Sequence, residues 1–191
     1  MAWHGLRPLD WIRSGIMFMS FLERFADGIE ILTRSAGRMA SVCYLLLIIV
    51  VLLNVTLRYF FSMGMIEMEE IQWHLYSVGF LLGLAWTQAE NSHVRVDILH
   101  QRFSARTAAL VDLLGHLFLL MPFTIFVFFY SIDFVGNSWA LREGSDNPSG
   151  LPARYAIKTV MSAGLLFLFL QSVASSVRMI SRLRCVYQEQ S

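Results

Sequence analysis

His93, Asp97 and His100 stand four and three residues apart within "AENSHVRVDILHQRF", residues 89–103. On a helix that spacing puts two imidazoles and a carboxylate on one face, a donor set suited to a divalent metal. Three loosely spaced ligands in a segment that also carries Arg95 and Arg102 are a weak signal for zinc. The same residues serve as a solvated connection at a membrane surface, with Asp97 capping a short helix. We expect His93, Arg95 and Asp97 to form such an elbow, with no metal bound.

Other candidates for chemistry are similarly thin. Asp112 and His116 are one helical turn apart and could pair, and ionisable groups inside a membrane are functional candidates by default. Asp112, however, lies only about 8 Å along a helix from Thr107, close enough to the boundary to be hydrated. Haem needs two axial ligands at one depth on facing helices. His74 would lie roughly 5 Å below one surface, and His116 about 18 Å below that same surface. Their depths do not match. No serine nucleophile motif accompanies a buried histidine, and no catalytic, metal-binding or cofactor-binding residue is expected.

The elements that hold these residues explain why. The chain has 191 residues, 56% hydrophobic and 15% charged, with mean hydropathy +0.55. Soluble domains carry charge on about a quarter of their residues. Met39–Leu57, Ile71–Ala89 and Thr159–Val177 contain no Asp, Glu, Lys or Arg, and Ala108–Ile132 contains only Asp112. About 20 apolar residues cross the ~30 Å hydrocarbon core, so each stretch is long enough to span. The expected fold is an all-α integral membrane protein: four transmembrane helices preceded by an amphipathic interfacial helix.

Charge sets the orientation. Eleven of the fifteen basic residues precede the first span, lie between the second and third, or follow the fourth. The positive-inside rule then puts both termini and the 90–106 connection in the cytoplasm. "GIMFMSFL" (Gly15–Leu22) is short and has no small-residue cleavage site behind it, so no secretory signal is expected. Cys43 and Cys185 fall toward the reducing side, which argues against a disulfide.

Residues 1–38 read as a cytoplasmic segment, 39–180 as the membrane domain and 181–191 as a basic tail. In the first segment Phe18, Phe21, Phe25 and Ile29 recur at helical spacing, with Ser20, Glu23, Arg24, Asp27, Glu30 and Arg34 on the polar side. Such an arm lies along the inner surface of the bilayer, and either lipid or a partner protein satisfies its aromatic face. Gly79 and Gly83 are a small-xxx-small pair, which lets helices approach closely in this bundle or against another subunit. Pro122 should kink the third span. Arg58 closes span one as Glu69 and Glu70 open span two, and we expect it to pair with one of these acids, partly screened from water.

"NVTLRYFF", "EEIQWHLYSVGFLLGLAWTQAENSHVRVDIL" and "GLPARYA", in that order across residues 40–180, resemble the small membrane subunit of TRAP transporters (tripartite ATP-independent periplasmic carriers). The resemblance implies a bacterial inner-membrane scaffold with no cofactor and no enzymatic activity. It works beside a large membrane subunit that holds the sodium and substrate sites, and a periplasmic binding protein that captures organic acids for symport. It implies lipid and protein partners and no nucleic acid. The alternative from another class is a membrane-anchor subunit of a redox enzyme complex.

Overall fold

A chain placed in lipid must satisfy its backbone internally, so long apolar stretches fold as helices. The computed structural model describes residues 8–90 and 103–189, and every regular element among them is helical. These are α1 (Pro8–Phe60), α2 (Ile66–Ala89), α3 (Ala105–Gly115), a π-turn (His116–Leu120), α4 (Met121–Ala140) and α5 (Arg154–Glu189). Three stretches among the described residues are long and apolar enough to cross a membrane: Phe21–Phe60, Thr107–Ala140 and Arg154–Ser181. Helix α2 has 24 residues, about 36 Å of helix, which is length enough. Gln72, His74, Ser77, Thr87 and Gln88 leave it less apolar than the others.

The arm departs from expectation. Helix α1 runs unbroken for 53 residues, without a joint between residues 38 and 39. Arg38, Met39 and Ala40 do not break helices, and Gly37 is packed where an added Cβ would collide with the Trp86 side chain. Its buried face is also not the aromatic one. Ala26, Ile29, Glu30, Thr33, Ala36 and Ala40 turn inward, while Phe21 and Phe25 are exposed. Ile29 therefore leaves the aromatic group and joins Ala26 and Ala174 in the core; the side chain of Phe18 lies outside the described residues. Helix α5 likewise passes residue 180 and continues to Glu189.

Helix α5 is the centre of the bundle and touches every other helix. Half of its apolar window is buried, against 11% for α1 and for α3–α4. Small residues make this possible. At Gly164 an added Cβ would fall 2.9 Å from Leu81 Cβ and 3.2 Å from the Leu81 carbonyl oxygen. On α4, Thr124, Ser131 and Ser138 are buried, and α4 packs on α5. Where lipid offers helices no hydrophobic reason to associate, close packing and polar contacts hold them.

Pro122 acts through a π-turn. Its ring would clash with the carbonyl four residues back, and it has no N–H to donate. The chain widens just before it, and Met121 N–H reaches the His116 carbonyl five residues back. Helix α4 ends in a Schellman motif. Glu143 N–H bonds the Ser138 carbonyl at 3.0 Å and Arg142 N–H the Trp139 carbonyl at 3.1 Å, with Arg142 at φ 48°.

The glycines divide differently from the sequence pattern. A Cβ at Gly79 would lie 3.1 Å from the Tyr44 ring, whereas one at Gly83 would meet nothing within 4 Å. Gly164→Ala should therefore destabilise the purified protein by about 1–3 kcal/mol through overpacking against backbone, and Gly83→Ala should be neutral or mildly stabilising in the same thermal melt. Arg142→Gly should raise the melting temperature, because a left-handed residue with a Cβ costs about 1–2 kcal/mol that glycine does not.

Candidate functional site

The most densely bonded site joins the start of α2 to the loop between α4 and α5. Glu69 and Glu70 lie in the first turns of α2, where the helix dipole favours negative charge. Glu70 is only 4% exposed. Its Oε2 accepts the Leu151 N–H at 2.5 Å, and its Oε1 accepts from the Ser145 hydroxyl and from Asn147 Nδ2 at 3.3 Å. The Ser145 hydroxyl, the Leu151 amide and Asn147 hold the Glu70 carboxyl below its ordinary value, against the opposing effect of burial; the nearby positive charge of Arg154 adds to the lowering.

Around this carboxylate the loop is ordered. Ser145 N–H reaches the Leu151 carbonyl, and Gly150 N–H the Asn147 carbonyl. Arg154 bonds Asp146 at 2.6 Å. Lys158 pairs with Glu143, which holds that carboxyl low as well, and sits 4.0 Å from the Phe134 ring centroid. Trp139 packs edge-on against Tyr155 at 4.5 Å. The turn formers of "REGSDNPSGLP" thus build a compact cap with a buried carboxylate as its anchor.

Arg58 does reach a neighbouring acid. Its Nη1 lies 3.1 Å from Glu69 Oε1, but the two side chains are 60% and 51% exposed. The screening expected for this pair is absent, and an exposed pair contributes about 0–1 kcal/mol. Glu70 takes no part in it.

A second cluster closes the opposite end. Glu30 binds Arg34 at 2.8 Å and also Arg178; Arg178 reaches Asp27 at 3.0 Å. Arg34 extends to Glu90 at 2.9 Å, and Ser181 donates to Glu23 at 2.8 Å. The polar face of the arm is therefore tied to the ends of α2 and α5. Between the two clusters, His116 Nδ1 donates to the Asp112 carbonyl at 2.7 Å, which leaves Nε2 to accept from the Gln88 amide of α2. His116 pairs with Asp112 through its backbone.

His93, Arg95, Asp97 and His100 lie outside the described residues. Among the described residues no three His, Cys, Asp or Glu side chains gather where they could hold a metal. Ser104 caps α3 as its sequence suggests, accepting from Thr107 N–H at 3.2 Å. Sequence reasoning did not find the clasp at Glu70 or the strap at Glu30. The usable signal for the strap was the run Glu23, Asp27, Glu30, Arg34 at helical spacing, together with the arginines that begin at 178.

Apolar helices bonded to one another at both ends, around a core of small residues, define an all-helical membrane protein. A family model described as "Tripartite ATP-independent periplasmic transporters, DctQ component" matches residues 47–182, and the chain belongs to that family. It is accordingly an inner-membrane component of a tripartite transporter, in a transporter family and not an enzyme family. The match gives no support to a redox-enzyme anchor. No curated protein and no solved structure matches the chain.

The lowered value at Glu70 fixes how the clasp depends on pH. A carboxyl whose folded value lies below its unfolded value contributes stability that is complete above the ordinary value of 4.5 and is lost as pH falls through the folded value. Hydrogen exchange at the Leu151 amide should stay protected at neutral pH and lose protection only under acid below that range. Glu70→Ala, which removes the acceptor, should expose the same amide already at neutral pH. Continued protection in that variant would refute the clasp.

Proposed function

We propose that this chain is the fixed scaffold of a sodium-coupled TRAP transporter that takes up organic acids, with a large membrane subunit and a periplasmic binding protein as partners. Four helical spans cross the membrane, α2 among them, and both termini are cytoplasmic. The observation that carries the reading is where the polar groups go. Glu30 and the Gln88–His116 pair each connect one helix to another, and Glu70 ties α2 to the loop between α4 and α5, so that all three brace the bundle. Coordinating sodium instead asks for several oxygens at one point, commonly from unwound backbone near the midplane.

Two features support the crossing of α2. It is packed between α1 and α5, which lowers the cost of its polar side chains, and only residues 61–65 separate it from α1. So short a connection makes antiparallel neighbours. Ion pairs at both ends and glycine contacts along the length suit a part that holds its shape while a partner moves. The basic residues collected at positions 7–38, between 95 and 106 and at 178–184 support cytoplasmic termini.

Uptake into proteoliposomes under a sodium gradient tests the role. The chain alone should be silent with every candidate organic acid and its binding protein, and uptake should appear once the large subunit is added. Sodium-driven uptake by this chain alone would overturn the reading. For topology, with Cys43 and Cys185 replaced, a cysteine at Ser145 should react with an impermeant thiol reagent added outside, and one at Ser104 should not.

A further inference from the structure

Helix α1 presents more apolar surface than the core of a bilayer can cover. Its apolar stretch Phe21–Phe60 has 40 residues, about 60 Å of helix against a hydrocarbon core of ~30 Å. Tilted by ~40°, the upper end of what membrane helices adopt, it would still rise about 46 Å, the thickness of the bilayer with both headgroup layers. When Tyr59 and Phe60 stand at one hydrocarbon boundary, that tilt puts Arg38 about 5 Å inside the other boundary and Arg24 about 11 Å beyond it, with the headgroup layer between them. The residues matched by the family model begin at 47, so this arm lies outside them.

The arm also sorts its charges. Glu23, Asp27 and Glu30 turn toward α5, where Ser181 and Arg178 meet them. The opposite side carries Arg24, Ile31 and Arg38, seven residues apart and hence on one face, together with Phe21, Phe25 and Leu32. Phe21 is 66% exposed and Leu32 58%. Arg24 and Arg38 are exposed, and neither has an ion-pair partner among the described residues. In sequence the arm mixes both signs; folded, its acids sit on the α5 side, where Glu30 is buried and Glu23 and Asp27 stay exposed, and the two arginines and the aromatics stand away from α5.

We propose that this outward face of residues 21–38 binds the phosphate headgroups of anionic phospholipids, with Phe21, Phe25 and Leu32 among the acyl chains and Arg24 and Arg38 on the phosphates. Guanidinium groups suit phosphate because their planar fork donates two parallel hydrogen bonds. The two arginines stand roughly 21 Å apart along the helix, which fits separate headgroups better than one pocket. Aromatic and aliphatic side chains beside them supply the apolar half of an interfacial contact.

The test is native mass spectrometry on the full-length protein, delipidated in detergent and titrated separately with phosphatidylglycerol and phosphatidylcholine. Wild type should retain phosphatidylglycerol in clear preference. Each arginine near a charged surface is worth about fivefold, so Arg24→Gln with Arg38→Gln should reduce that preference by an order of magnitude or more. Arg24→Lys with Arg38→Lys should keep most of it and serves where the glutamine variant fails to fold. Arg142→Gln, at the other end of the molecule, should change nothing. Equal retention of the two lipids by wild type would overturn the proposal and leave the face to a protein partner. An unchanged preference in a folded glutamine variant would overturn it too.

Discussion

Everything in this bundle depends on how closely α5 can approach its neighbours. Lipid tails are as apolar as leucine, so burying a leucine between two membrane helices gains little over leaving it in the bilayer. Contact distance has to do the work. The backbone of α5 at Gly164 lies against Leu81 closely enough that even one methyl group would collide with main-chain atoms. Ala174, Ser172, Ser175 and Ser176 continue the small inward face toward the other end, and Ala26, Ala36 and Ala40 answer them from α1. The large side chains are turned outward in consequence, which is the reverse of a soluble core.

Close packing does not by itself set where helices stop or how they are aligned lengthwise, and charge supplies that. At one end a carboxylate from α2 gathers the amides and hydroxyl of the loop before α5; at the other Arg178 of α5 draws together two acids of α1. Both lie at the ends of the bundle, and in both the charged groups are hydrogen-bonded or paired. Glycine contacts between these ends and ion pairs at them divide the task by depth.

Three of the four expected spans were legible in the sequence because long stretches almost free of charge are rare in a helix that meets water. The cap of α3 was legible because Ser104 stands three residues before its partner N–H. The joint between arm and span was not. Arg38 marked a change of composition, and composition reports the surroundings of a helix without saying whether the backbone breaks there. The glycines were half legible: Gly79 and Gly83 fitted a known spacing, but spacing cannot say which glycine faces a neighbour; Gly37 fits the same spacing with Thr33 and Ser41 without standing out, and Gly164 has no small residue four positions away. The partners of Glu70 were not legible for a related reason. Its donors come from positions 145–151, about eighty residues away, and no local rule reaches that far.

The π-turn before Pro122 has a geometric consequence. His116 and Thr124 are eight residues apart, which on a regular helix would put them some 80° out of line. The turn absorbs one residue, so the interval behaves as seven, and His116, Thr124, Ser131 and Ser138 fall into a single buried column. Residues 116–120 thus hold one residue of slack. Shortening the chain there by one would straighten the helix and leave the column aligned, whereas the same deletion anywhere from Thr124 to Ser138 would rotate half of it out toward the lipid.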